Sequence, residues 1–418
     1  MSLLLKNALV CDPASPNHNK RCDLLIENGV ITSLKGVKAE KEIDLSGYTV
    51  FSGWFDLNAH FNDPGNEFKE DLNSGSLAAS GGGFTDVQLV PNTNPPLETK
   101  SDIKYVLHKK VPLVDLHISA ALSEGLEGKN LTEIYDLKFA GASSFTDGDL
   151  PVWNAELLLK ALQYTQTINS PIFQLAQDVS LSNNTHMHEG KMSTLLGLRG
   201  EPGISEELIV MRDIEILRYT GGKIHFSRIS SGKSVELIRK AKREGLNVTA
   251  DTSLHHLIFT DEAVADFDTH MKNLPPFRSE SDRKTLIKGV KDGTIDAICS
   301  NHRPQDQESK SLEFDLSESG SIALQTFYPS LLKLNNDIPM EILIECITSN
   351  PRKLLGIDPV SIDVNMLAKL TIADPEKEWV LDDTTNLSKS RNSPYWGKKL
   401  KGKVIGTVNK SSYAFFDD

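Results

Sequence analysis

The chain has 418 residues, of which 39% are hydrophobic and 24% charged, and its net charge is −12. That length accommodates a large barrel plus a smaller unit, and the composition excludes a disordered chain. The acidic balance argues against a nucleic-acid binder and means that an anionic ligand would need a local cationic pocket.

The four cysteines, Cys11, Cys22, Cys299 and Cys346, have no C-x-x-C spacing and read as reduced thiols rather than a disulfide scaffold. The apolar run opening MSLLLKNALVCDP is too short for a signal peptide or a membrane span, so a cytoplasmic protein with no membrane partner is expected. In the first fifty residues, Asp23 to Ile26 and Val30 to Leu34 are short apolar segments joined through Asn28-Gly29, a strong hairpin signal. From about Val50 to about Gly356, strand-like and helix-like runs alternate. The strands are expected at Trp54–Asn58, Thr85–Val90, Leu113–Ala120, Lys138–Phe145, Ile172–Ala176, Lys223–Ile229, Asn247–Thr252 and Ala297–Asn301. Helices are expected at Ala155–Tyr164, Ser205–Tyr219, Ser234–Glu244 and Ser281–Lys291. Towards the C-terminus, Leu367 to Ala373, Trp379 to Leu381 and Lys403 to Val408 are further strand candidates.

Eight strands alternating with helices give the pattern of a (β/α)8 TIM-type barrel over residues 51–359. The alternative, a doubly wound sheet, is weakened because no G-x-G-x-x-G follows an early strand. Neither terminus holds enough apolar residues to fold alone. Residues 1–50 and 360–418 are therefore expected to combine into one small β-sandwich domain. In such a barrel the chemistry lies at the C-terminal ends of the strands.

Several segments at those ends carry a family resemblance. Phe51-Ser-Gly-Trp-Phe-Asp-Leu-Asn58-Ala-His60-Phe-Asn62-Asp-Pro-Gly65 resembles the first-strand signature of amidohydrolases, and the stretch from Gly82 through Pro91-Asn92 to Pro95 is similar to the second-strand motif of dihydroorotases. Phe145-Thr-Asp147-Gly148-Asp149, the segment Met187 to Gly200, His255-His256-Leu257, Asn392-Ser-Pro394 and Leu400 to Gly406 extend the likeness over essentially the whole chain. The resemblance implies a dihydroorotase-like protein of the amidohydrolase superfamily, associated with pyrimidine biosynthesis, with the barrel and terminal β domain described above.

It also shows what has changed. Where the family has His-x-His, this chain has Asn58 and His60, and where the family has a substrate-gripping Arg it has Asn62. Asn92 matches the family's carboxylate-binding Asn. The later ligand histidines are replaced by Leu175 and Arg228, the catalytic Asp by Asn301, and the family's Asn and His at two substrate contacts by Leu274 and Gln305. A catalytic zinc needs about three protein donors plus an open position. Only His60 and Asp147 remain as residual candidates, so no cofactor is expected. Asn301 cannot shuttle a proton near neutral pH. Arg228 is expected to enter the vacated metal centre and pair with Asp147, with Leu175 and Leu274 filling the remaining volume.

Other polar residues invite simpler readings. His60 by itself reads as a hydrogen-bonded core histidine. His255 and His256, taken as neighbours on a strand, would face opposite ways and could not share a metal. His186 and His188 read as part of a solvated loop, His302 stands without an adjacent acid, and Gly81–Gly83 read as the end of a helix leading into the second strand rather than a phosphate loop. Two functions follow from the resemblance. One is a non-catalytic homologue with a structural or regulatory role, for which aspartate carbamoyltransferase is the implied partner and a homodimer the implied state. The other is an active dihydroorotase or related cyclic amidohydrolase with an altered, zinc-dependent centre.

Overall fold

The computed structural model describes residues 2–36, 38–109 and 111–416. Eight parallel strands follow one another in chain order: Trp54–Ala59, Phe84–Leu89, Asp115–Ala121, Ser144–Thr146, Ile172–Leu175, Ile224–Ser227, Val248–Ser253 and Ala297–Cys299. A parallel bridge between Ala59 and His302 brings the last strand back beside the first, giving a (β/α)8 barrel. The first, second, fifth, sixth and eighth strands are buried at every position, the pattern of a sheet covered on both faces.

The helices expected at 155–164, 205–219, 234–244 and 281–291 occur as Ala155–Thr167, Ile204–Thr220, Gly232–Arg243 and Glu280–Lys291. Gly232–Arg243 shows the local logic. The Ser231 side chain caps the Lys233 amide, Val235, Ile238 and Ala241 face the core, and Lys240, Lys242 and Arg243 sit at the negative end of the helix dipole.

One expected strand is corrected. Lys138 lies on a helix, Ile134–Ala140, and the strand begins only at Ser144. Gly141, at φ +118°, ends the helix in the left-handed conformation that a glycine adopts without strain. A short apolar run cannot distinguish these two states by periodicity.

Strands from both ends of the chain share one eight-stranded sheet. Its order runs Ser412–Phe415, Lys399–Asn409, Lys369–Val380, Thr49–Ser52, Ser2–Cys11, Arg21–Glu27, Val30–Ser33, with Lys41–Asp44 also paired to Ser2–Cys11. The two segments expected at 367–373 and 379–381 are one strand, whose register shifts between Asp374 and Glu378. The sheet has its own apolar core, including Leu5, Val10, Leu24, Ile31, Ile372 and Val408.

Candidate functional site

The C-terminal ends of the strands converge on a buried carboxylate, Asp149, in the loop after the fourth strand. Arg228, fully buried at the end of the sixth strand, donates Nη1 to Asp149 Oδ1 at 2.7 Å and to Asn301 Oδ1 at 3.2 Å, and Nη2 to the Gly148 carbonyl at 3.0 Å. Its backbone sits at φ +57°, an uncommon conformation for a long side chain, held by a 2.7 Å hydrogen bond from its N–H to Asp251. His60 Nε2 lies 3.1 Å and Arg303 Nε 3.2 Å from Asp149 Oδ2. Neither is aligned as a hydrogen bond; the Arg303 approach is a charge contact.

The electrostatics follow from this geometry. Burial would raise the Asp149 pKa, but Arg303, His60 and Arg228 outweigh it and hold the carboxyl well below its ordinary range. His60 is pushed the other way: desolvation lowers its pKa and the two guanidinium groups add to the effect, against the pull of Asp149. The centre is thus an ionised carboxylate between two guanidinium groups, with an imidazole biased towards its neutral form.

Arg228 therefore enters the barrel mouth as expected, but its partner is Asp149 and not Asp147. Asp147 is already occupied by hydrogen bonds from the Leu122 and Ser123 amides and the Ser123 hydroxyl. The missed signal lies in the order of residues: in Thr-Asp147-Gly148-Asp149 a second carboxylate follows two positions after the first. Gly148 has φ +68°, and a Cβ there would lie 1.7 Å from Asn92 Oδ1, so the glycine is required at 148 and the second carboxylate falls at 149. Arg303 was the second residue missed. It stands one position beyond His302 and points its cation at the same carboxylate.

The other expected site residues are accounted for individually. Asn92 is not free to grip a ligand as matched: its Nδ2 donates to the Asp147 carbonyl and its Oδ1 accepts from the Asp149 amide, so it clamps the loop. Asn301 donates to Asn273 Oδ1 and the Leu274 carbonyl while accepting from Arg228. Asn58 and Asn62 are buried, and Asn58 Oδ1 and Asn62 Nδ2 lack a protein partner. Leu175 is buried, but Leu274 is only half-buried and lines a cleft of about 150 Å³ with Asn273, Gln177 and His186, so it is not core filling. Gln305 bridges Lys69 and the Ser319 carbonyl.

The histidines form no second centre. His255 and His256 lie on a 3-10 turn, Leu254–Leu257, and not on a strand. They are separated by their partners: His255 meets Ser321, and His256 meets Ser253 and the Pro275 carbonyl. Burial drives their pKa values down to about 4 and about 3. His188 lies on the two-residue strand Met187–His188, beside Arg278. Gly82 caps the helix Leu72–Gly81, as expected for Gly81–Gly83. His302 accepts the Ala323 amide at Nδ1 and directs Nε2 to within 3.6 Å of Glu70, so an acid absent from its sequence neighbourhood is supplied by the fold.

The donor set does not fit a catalytic zinc. No group of three His, Cys, Asp or Glu side chains that could hold a metal occurs among the described residues, and the three positions that the resemblance matches to ligands, Asn58, Leu175 and Arg228, carry an amide, an aliphatic side chain and a cation. The Arg228 guanidinium lies on Asp149, beside His60, and would repel a dication there.

The architecture recurs in solved structures. The structure of L-hydantoinase (dihydropyrimidinase) from Arthrobacter aurescens matches with a TM-score of 0.86 over 100% of this chain and 96% of that one, at 22% identity. D-hydantoinase (dihydropyrimidinase) from Thermus sp. matches with a TM-score of 0.81 over 99% and 95%, at 19% identity. At those identities the likeness defines the fold.

Sequence comparison narrows the class further. Residues 47–234 match the dihydro-orotase-like family model. Proteins named dihydroorotase from Syntrophotalea carbinolica and Aquifex aeolicus are each 38% identical to this chain, the first over 98% of this chain and 97% of its own length, the second over 100% of both. The chain belongs to the dihydroorotase family.

Proposed function

We propose that this chain is a non-catalytic member of the dihydroorotase family with a structural or regulatory role in pyrimidine biosynthesis. The observation that carries this reading is the buried Arg228–Asp149 pair, 2.7 Å apart and fully enclosed on the arginine side. Ring hydrolysis of this type relies on a metal to generate hydroxide near neutral pH and on a carboxylate to move the proton. The positions that the resemblance matches to a metal ligand and to the proton shuttle carry Arg228, a fixed cation, and Asn301, whose amide is already committed on both sides. Aspartate carbamoyltransferase is the partner proposed for this role, in a complex with a homodimer of this chain.

The second reading is a working dihydroorotase or related cyclic amidohydrolase with a rearranged, zinc-dependent centre. The comparisons favour it, because the full-length relatives are named for that activity. The side chains at the barrel mouth favour the first reading.

Two measurements on purified protein separate them: elemental analysis for zinc, and ring opening of dihydroorotate. The first reading expects substoichiometric zinc and turnover at the level of the buffer control. Stoichiometric zinc accompanied by turnover overturns it. Co-purification with aspartate carbamoyltransferase supports the partner role, and its absence from a pull-down with the pure enzyme removes that part.

A further inference from the structure

The opposite end of the barrel holds a larger cavity than the mouth. About 590 Å³ opens at the N-terminal ends of the fifth to eighth strands, beside Pro171, Lys223, Asn247 and Asp296. That volume is in the range of sites that enclose small organic ligands, roughly 300–1,000 Å³. Its accessible apolar lining is Leu246, Ile342 and Leu354, each half-buried, with Ile224, Val248 and Ile295 packed behind it in the core. Cys346 is buried and its thiol is pushed up to about 12 by that burial, so it offers the cavity no nucleophile.

Charge distinguishes this cavity from an ordinary surface cleft. Lys223, Lys291 and Lys353 line it, and none has a side-chain hydrogen bond or ion pair among the described residues. Two carboxylates also line it. Asp296 is neutralised by Lys242 at 2.7 Å, which leaves Glu345 as the one unpaired acid against three unpaired ammonium groups. A chain of net charge −12 thus presents a local cationic rim around an apolar wall. Clefts of one sign with low-dielectric walls concentrate counter-ions. Asn350 adds a polar anchor: its Nδ2 is held by the Asp296 carbonyl at 2.9 Å.

We propose that this cavity at the N-terminal end of the barrel binds a small amphipathic anion, an apolar ring body seated against Leu246, Ile342 and Leu354 with a phosphate or carboxylate group held by Lys223, Lys291 and Lys353. A bare inorganic anion would leave the wall unused, and a neutral ring would leave the lysines uncompensated. The site is remote from the barrel mouth, so it stands whether or not the chain hydrolyses anything.

The test uses the intact protein and an aromatic sulfonate, 8-anilinonaphthalene-1-sulfonate, as a fluorescent probe of the class. Saturable one-site binding is expected, weakened about tenfold in the Lys291→Glu/Lys353→Glu variant, whose changed side chains are exposed, with its melting temperature checked against the parent. Adenosine 5′-monophosphate is expected to displace the probe, with adenosine and inorganic phosphate each much weaker. Rising salt is expected to weaken binding. Unchanged probe affinity in the folded charge-reversed variant overturns the proposal, as does the absence of saturable binding to the parent protein.

Discussion

Each end of the barrel buries a carboxylate among cations, and the two are finished differently. Near the floor, Asp86 on the second strand receives Lys369 Nζ at 2.5 Å and His117 Nε2 at 3.0 Å on one oxygen, and Arg352 and the Thr85 hydroxyl on the other. Lys369 belongs to the terminal sheet and Arg352 to the helix Ser349–Leu355, so one side chain joins three parts of the molecule. At the mouth, Asp149 has one well-aligned partner and two oblique ones, while Arg228 Nε, Arg303 Nη1, Asn58 Oδ1 and Asn62 Nδ2 lack protein partners. At the floor both oxygens of the acid are taken up by aligned donors, and Arg352 Nε is left without a partner. The mouth keeps several buried polar atoms without protein partners around its ion pair.

That contrast can be broken by mutation. The largest effect is expected at the floor: Asp86→Ala leaves Arg352 buried without its acid and Lys369 with Asp115 alone, and should lower stability by about 3–5 kcal/mol in urea unfolding. Burial opposes ionisation of Asp86, but Arg352, His117 and Lys369 hold its carboxyl well below the ordinary range. Its contribution is therefore present above the unfolded carboxylate pKa of about 3.9 and is lost as pH falls through and below that value. Asp149→Ala should lose less, about 2–3 kcal/mol, because only one of its contacts is an aligned ionic hydrogen bond. A greater loss at Asp149 than at Asp86 would reverse the ranking of the two ends.

Arg228→Met is expected to cost about 1–2 kcal/mol, since Asp149 keeps Arg303 and His60 while similar volume is retained. An effect as large as that of Asp149→Ala would make the guanidinium, rather than the carboxylate, the hub of the mouth. The smallest change at neutral pH is expected for His255→Phe, under about 1 kcal/mol. His255 is buried in its neutral form with a pKa of about 4, so the folded state binds fewer protons than the unfolded one as the pH drops below about 6.5. Stability should thus fall between about pH 6.5 and 4 in the parent, and the variant should show a shallower slope. Equal slopes would mean that the acid sensitivity comes from other groups.

Particular residues mark how far the sequence could be read. The alternation of apolar runs and amphipathic helices made the barrel legible, because strand and helix periods are local properties of the chain. The strand at 144–146 was not legible, because a helix cap at Gly141 and a three-residue strand lie within one short apolar run. That Asn58, Leu175, Arg228 and Asn301 offer little or no capacity to hold zinc or shuttle a proton was readable residue by residue, since that capacity belongs to the side chain itself. The choice between Asp147 and Asp149 was not, because it depends on which carboxylate the loop turns inward.

By itself, then, the sequence determined the fold class and the family. Only the tertiary structure decided that Asp149 receives Arg228, that Arg303 joins them, that Asn92 clamps a loop and that Glu70 faces His302. Those outcomes rest on contacts between residues tens to hundreds of positions apart, such as Glu70 and His302 or Arg228 and Asp149. Burial then sets their strength: in the enclosed barrel mouth, a charge finds a partner or is expensive to keep.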